Sequence, residues 1–413
     1  MTALIFALPV RYKENFMKLI HCADLHLDSK LNTYLDRERA KRRRDELLRN
    51  FERLAQYAAE NGVEAILIAG DLFDRDTVSA LAANMVLSVI RSQPQIRFYY
   101  LRGNHDLGDC LGKAAEGEIS DLPNLRLFGE RWKTYYEGAE GKIAITGIEL
   151  TNENSAAAQA SLRIDPACFN IVMLHGQESG GRTFKESLRQ AGGASTALSG
   201  SFAQREEKGR GYAGRISLPA LRGRGIDYLA LGHVHTYKKA PLDSRGIYCY
   251  PGCLEGRGFD ECGQHGFVEL EINEQTGAMS CRFVPFARRT LYALQTDVTG
   301  CLTTAQMKDL MEDTLHMAGC RKTDMADLTL CGELDVDCEK DPDYLRMILE
   351  SEFFFARLHD ATTLRINAED YLYDESLRGE FVRLVMADPS VPAEEKNAVI
   401  RCGFQAMDGE DLL

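Results

Sequence analysis

The sequence has no run of about 20 apolar residues, the length a helix needs to cross a bilayer, so a membrane span is not expected. It has no CxxC pair. Its 12 cysteines are scattered, with Cys249, Cys253 and Cys262 the closest group, which fits neither a disulfide framework nor a structural zinc site; the thiols read as reduced and the location as cytoplasmic. Internal repeats and low-complexity runs are absent, and 45% hydrophobic with 27% charged residues is ordinary for a globular chain. The opening apolar stretch Thr2–Val10 has no basic residue before it and no small-residue cleavage site, so it does not read as a signal peptide. Residues 1–16 are expected to be an N-terminal extension without chemistry, because the first strand-like segment, MKLIHCADLH, begins at Met17. The last shortage is of positive charge. The net charge is −13, whereas a nucleic-acid enzyme usually carries a basic footprint. From Thr290 onward there are 26 acidic and 11 basic residues, so the acidity belongs to the C-terminal third and residues 1–289 are near neutral.

At 413 residues the chain exceeds what one core organises, and the pattern predicts a larger domain over 17–289 and a smaller acidic α+β domain over 290–413. Lys18–Cys22, Ala65–Ala69 and Ile96–Leu101 read as strands. Between them, Asp36–Asn61 and Thr77–Ser92 read as amphipathic helices, giving βαβαβ and a parallel sheet. After Asn124 the chain becomes strand-rich: Leu125–Phe128, Thr134–Glu137, Lys142–Gly147, Asn170–Leu174, Tyr228–Leu231, Gly246–Tyr250, Gly266–Ile272 and Ser280–Pro285. These predict a second sheet facing the first with helices outside, a four-layer α-β-β-α sandwich of the α/β class. The acidic segment predicts strands near 291–297, 328–336 and 362–366, and helices near 303–318, 343–351, 375–387 and 392–402.

Five short motifs sit at or just beyond strand ends: Asp24-Leu25-His26, Gly70-Asp71, Gly103-Asn104-His105-Asp106, His175, and Gly232-His233-Val234-His235. The crevice beyond the carboxyl ends of strands is where open α/β sheets collect ligands. Singly each motif is a common turn or cap; together they hold five of the nine histidines. Carboxylate, amide and imidazole donors without cysteine suit manganese, iron or zinc pairs better than structural zinc.

The ordered series DxH, GD, GNHD, H and GHxH resembles the calcineurin-like metallophosphoesterases. Within them, IHCADLHLDSK, AGDLFDR, GNHD, LHG and LALGHVH are most similar to SbcD-type DNA-repair exonucleases and their YhaO-like bacterial relatives. The resemblance covers about residues 17–290 and is faint beyond. It implies that Asp24, His26 and His235 bind one divalent metal, Mn2+ foremost with Fe or Zn as alternatives. Asn104, His175 and His233 would bind the second, with Asp71 bridging and a shared activated water making the in-line attack. It further implies that His105 assists the leaving oxygen and that Asp106 orients His105. Protein Ser/Thr phosphatases of the class instead carry GDxVDRG and GNHE, which this chain lacks.

Four other features carry open readings. Lys41-Arg42-Arg43-Arg44 is either a DNA-backbone contact or a solvated helix face. The loop 178–215, with seven basic residues against four acids, is either a strand-guiding lid or a disordered insertion. Tyr250-Pro251-Gly252 resembles a loop near the family's active site and is also a plain turn. His21, His265, His316 and His359 read as structural. The resemblance implies DNA and an SbcC-type ATPase as partners; an acidic C-terminal region repels phosphate, so it reads as a surface for docking that ATPase, or for a homodimer. Three functions compete: a DNA exonuclease or endonuclease subunit of an SbcCD-like repair complex, a small-molecule or nucleotide phosphodiesterase, and a non-catalytic adaptor. The complete donor set counts against the last.

Overall fold

The computed structural model describes residues 16–31, 34–74, 78–106, 111, 122–179, 214–335, 338–365, 368–371, 373–393 and 395–407. The expected N-terminal extension, up to residue 15, and the core of the basic loop, residues 180–213, lie outside them. The chain forms two units, the first ending at Arg288 and the second beginning at Arg289.

The first unit opens with β1 (Phe16–Cys22), α1 (Arg37–Glu60), β2 (Ala65–Ala69), α2 (Ala80–Ser92) and β3 (Arg97–Leu101). Pairing of β1 with β2 and of β2 with β3 is parallel, the βαβαβ unit expected. Helix α1 starts where Asp36 accepts a hydrogen bond from the Arg39 backbone N–H at 2.8 Å, leaving that donor satisfied. Its buried stripe of Leu47, Phe51, Leu54, Ala55 and Ala58 follows the helical period. Ser79 caps α2 in the same way.

There follow β4 (Leu125–Leu127), β5 (Lys133–Glu137), β6 (Ile143–Gly147), α3 (Ser155–Ser161), β7 (Phe169–Glu178), β8 (Gly214–Ile216), α4 (Leu218–Leu221), β9 (Tyr228–Gly232), β10 (Lys238–Pro241), β11 (Ile247–Tyr250), β12 (Gly266–Asn273) and β13 (Met279–Pro285). They do not all join one second sheet, as the strand count suggested. One sheet has the order β13-β12-β1-β2-β3-β4, and the other β10-β11-β9-β7-β6-β5 with β8 beside β7. The β12–β13 hairpin pairs antiparallel with β1 and so covers an edge that the parallel unit would leave open.

Three apolar layers make the four-layer sandwich. Successive residues of each central strand point to opposite faces. On the outer face of the first sheet, Ile20, Ile66, Ile68 and Phe98 pack on α1 and α2. Between the sheets, Leu19, Leu67 and Tyr99 meet Ile145, Ile171 and Tyr228. On the far face, Val172, Leu229 and Leu231 meet Leu162, Leu218 and Leu221. Strands buried on both faces explain why these segments read as continuous apolar runs rather than alternating ones.

The second unit comprises β14 (Leu291–Asp297), α5 (Thr304–Met317), β15 (Met325–Cys331), β16 (Glu333–Asp335), α6 (Pro342–Glu352), β17 (Phe355–Asp360), β18 (Thr363–Arg365), α7 (Leu377–Ala387) and α8 (Lys396–Met407). Strands β14, β15 and β17 run parallel, and Leu328, Leu330 and Ala356 share a core with Met307, Met311, Leu345 and Leu349 of α5 and α6. Strand β17 was not expected. Its sequence, Phe355-Ala-Arg-Leu-His-Asp360, mixes polar residues onto an exposed face.

The basic run on α1 follows neither of its two readings at Arg43. That side chain is 1% exposed; its guanidinium donates to Glu255 at 2.8 Å, to Glu46 at 3.1 Å and to the Gly256 carbonyl at 2.8 Å. Arg43→Ala would strand buried carboxylates and is expected to lower the stability of the folded chain by about 3–5 kcal/mol. Exposed Lys41→Ala should stay within about 0.5 kcal/mol, both read from denaturant titration.

His21 is buried with Nδ1 2.8 Å from the Tyr228 hydroxyl, and burial lowers its pKa to about 3. The unfolded chain therefore takes up a proton below pH 6.5 that the folded chain refuses until about pH 3, so stability present above pH 6.5 is lost as pH falls. His21→Gln is expected to flatten the fall in melting temperature between pH 6.5 and about 4.

Candidate metal centre

The donor residues lie where strands of both sheets end. Asp24 and His26 follow β1, Asp71 follows β2, Asn104 and His105 follow β3, His175 lies within β7, and His233 and His235 follow β9. The backbone turns sharply at four of them: Asp24, His26, Asp71 and His233 have φ of 53°, 45°, 52° and 101°. L residues adopt this left-handed region at a cost, and such residues gather at functional sites. Two glycines of the motifs are there for space. A Cβ on Gly103 would stand 2.2 Å from Asp71 Oδ1, and one on Gly232 would stand 1.8 Å from the Ala69 carbonyl oxygen.

All seven expected ligands converge. Asp24, His26 and His235 form one trio and Asp71, His175 and His233 another, each with donor atoms within 4.8 Å of one another. Asn104 Oδ1 completes the second, 3.0 Å from both His175 Nε2 and His233 Nδ1. Asp71 Oδ2 is 3.4 Å from His175 Nε2 and 3.9 Å from His26 Nε2, so one carboxylate faces both trios. The two sheets are joined here by polar contacts: His175 Nδ1 donates to the Ala69 carbonyl at 2.8 Å, and the His233 backbone N–H donates to Asp24 at 3.0 Å.

The donor chemistry fits divalent cations. His26 Nε2 and His235 Nε2 stand 3.1 Å apart while their Nδ1 atoms are engaged elsewhere, His26 with Asp74 at 2.9 Å and His235 with Glu261 at 2.7 Å. With Nδ1–H donated outward, each ring presents an Nε2 lone pair inward. Burial pushes Asp24 up to about 6, against the pull of His235 and His175. Burial likewise opposes the Asp71 charge, yet His175, His26 and His105 hold its carboxyl below the ordinary range. Burial lowers His26 and His233 to about 4, so both rings are neutral near pH 7.

His105 is 40% exposed, and its backbone N–H donates to Asp71 Oδ1 at 2.8 Å. The expectation that Asp106 orients His105 is corrected. Asp106 is fully buried, and its carboxylate accepts from the backbone N–H groups of Leu72, Phe73 and Gly103 at 3.1, 2.8 and 3.0 Å. It ties the Asp71 turn to the Asn104 turn, because three backbone donors there have no strand partner. The carboxylate facing His105 is Asp74, with Oδ1 3.5 Å from His105 Nδ1.

Asp74 and Glu261 are the functional residues that the sequence reading left without a role. Asp74 was visible as the second aspartate of Gly70-Asp71-Leu72-Phe73-Asp74; nothing local marks Glu261, 26 residues beyond the His235 it contacts. The Tyr250-Pro251-Gly252 turn does lie beside the site. Tyr250 Oη donates to the Gly176 carbonyl at 3.0 Å, and the Cys253 N–H donates to the His235 carbonyl at 3.1 Å. Cys253 and His265 bond to each other at 3.1 Å, and His265 Nε2 donates to the Glu261 carbonyl, a structural role.

Two facing sheets with a buried mixed-donor cleft at their strand ends define a metal-dependent hydrolase class. The chain belongs to the calcineurin-like phosphoesterase family, whose model matches residues 17–237; the family binds divalent metals and hydrolyses phosphoesters. Among curated relatives, the DNA double-strand break repair protein Mre11 of Methanopyrus kandleri is 24% identical over 65% of this chain and 56% of its own length. Mre11 of Aeropyrum pernix is 25% identical over 68% of this chain and 64% of that one. The chain thus spans less than two thirds of either. The uncharacterized metallophosphoesterase YhaO of Bacillus subtilis is 26% identical over 72% of this chain and 67% of its own. Among solved structures, TT1561 of Thermus thermophilus aligns at 11% identity over 65% of this chain and 98% of that one, with a TM-score of 0.38.

Asp106→Ala leaves three buried N–H donors unpaired and is expected to cost about 3 kcal/mol or more. Calorimetry should find that loss in metal-free protein as well as with Mn2+ present. An unchanged melting temperature with lost activity would restore the role on His105.

Proposed function

We propose that this chain is a metal-dependent phosphodiesterase acting on DNA, using two divalent ions, manganese foremost. The observation that carries the reading is Asp71 Oδ2, placed 3.4 Å from His175 Nε2 and 3.9 Å from His26 Nε2, between two complete donor sets. Asp24, His26 and His235 would hold one ion, and Asn104, His175 and His233 the other, with the Asp71 carboxylate facing both groups. Divalent ions held there would supply positive charge toward phosphoryl oxygens and lower the pKa of water. The chain's residues do the rest. The Nδ1 anchors at Asp74, Glu261 and Ala69 fix the ring directions, and the carboxylates of Asp24 and Asp71 set the charge of the site. His105, outside both trios and open to solvent, delivers a proton to the leaving oxygen while Asp74 faces its Nδ1.

DNA as substrate is supported by the Mre11 relatives and by the motif wording. An ATPase of the SbcC type is the partner this reading entails, with the acidic second unit as the docking surface and self-association as its alternative role. One observation favours a second reading, a small-molecule or nucleotide phosphodiesterase. The balance of 26 acids to 11 bases from Thr290 onward gives no attraction to a phosphate backbone. Among the described residues no helix is long and apolar enough to cross a membrane.

The test is a panel with Mn2+ on linear duplex DNA, single-stranded DNA and a bis-aryl phosphodiester. Cleavage of at least one DNA is expected, and His105→Ala should reduce the rate by about 10²–10⁴-fold with both ions still bound. Turnover of the small diester with intact DNA would sink the nuclease reading for the isolated chain. Two bound ions with no turnover of anything would leave the adaptor.

A further inference from the structure

We infer that Arg257 is a positioning residue that sets the affinity of the Asp24–His26–His235 ion site and leaves the other site to its own anchors. The inference rests on the metal reading above and extends it to a residue outside every motif. Arg257 Nη1 donates to Asp74 Oδ1 at 3.0 Å, and Nη2 donates to Glu261 Oε1 at 2.9 Å. Those same two oxygens accept from His26 Nδ1 and His235 Nδ1, at 2.9 and 2.7 Å. One guanidinium therefore spans the two carboxylates that aim two of the three ligands of a single trio. Its plane fixes both acceptors at once, which a point charge on a flexible stem cannot do.

The group arrives already held. Its own backbone N–H donates to Glu261 Oε2 at 2.8 Å, and its carbonyl accepts from Tyr34 Oη at 2.7 Å. Immediately before it in the chain, Glu255 accepts from Arg43 and from Asn50 of α1 at 2.8 and 2.7 Å, and Gly256 accepts from Arg43 at 2.8 Å. The side chain is 20% exposed, so water competes little for its donors. The second trio is built differently. His175 Nδ1 donates to a backbone carbonyl of β2 rather than to a side-chain carboxylate. Loss of the Arg257 guanidinium removes one donor from Asp74 Oδ1 and one from Glu261 Oε1, which loosens their aim at His26 and His235, and leaves Ala69 where it is.

The test titrates Mn2+ into metal-free full-length chain, reading bound metal by elemental analysis and pairing by electron paramagnetic resonance. Wild type is expected to show a spin-coupled pair at two equivalents. Arg257→Gln should bind one ion within about threefold of wild type and the other about 10–100-fold more weakly, the usual cost of losing a partner behind a ligand. At two equivalents its spectrum is then that of isolated Mn2+. Arg257→Lys, which keeps the charge without the fork, should fall between; if the Gln variant does not fold, the Lys variant decides by the same asymmetry. Uptake of both ions within about twofold of wild type, or equal weakening of both, overturns the inference. Failure of wild type to form a pair overturns the metal reading itself.

Discussion

Everything at this centre depends on two hydrogen bonds that cross from one sheet to the other. The His175 ring donates to the carbonyl of Ala69 on β2, and the backbone of His233 after β9 donates to Asp24 after β1. Apolar packing between the sheets is broad and non-directional, and would tolerate small slips. These polar contacts are directional. They fix the strand ends of one sheet against those of the other, and the donor geometry follows. The space among the strand ends is so small that Gly232, against Ala69 of the facing sheet, and Gly103, against Asp71, admit no side chain, and Asp24, His26, Asp71 and His233 turn there with left-handed backbone.

A consequence is that the donor residues cannot be considered apart from the groups behind them. A cluster of buried carboxylates and imidazoles is unfavourable in a low dielectric unless each member has a partner. Asp106 answers this on one side by collecting three backbone donors. On the other side Asp74, Glu261 and Arg257 form a charged rim behind His26 and His235, itself pinned to α1 through Glu255 and Arg43. The buried arginine of a run that looked like surface charge is thus part of the support for the loop that carries Arg257.

Much of this was legible in the sequence, for reasons that differ by element. Helix α1 announced itself by Asp36 and by the spacing from Leu47 to Ala58, both local properties. The ligand motifs were legible because each pairs a donor with a glycine or a strand end. What stayed hidden was non-local. Which sheet β4, β12 and β13 join depends on edge pairing, and the strand pattern of Gly266–Asn273 is the same in either sheet. Glu261 meets His235 only because the chain between them folds back, and Asp106 was read by its neighbour His105 when its partners are Leu72 and Phe73, more than 30 residues earlier.

The cysteines carry a practical consequence. None of those described is disulfide-bonded, and among the described residues only Cys262 and Cys402 are exposed cysteines, one in each unit; Cys110 lies outside the described residues. With Cys110 replaced by serine, maleimide dyes would react there first, giving a donor–acceptor pair for energy transfer at natural cysteines. Cys262 follows Glu261 directly, so a dye at that position would also sense the loop behind His235. Fluorescence from one labelled chain could follow both the loading of the centre and the distance between the two units.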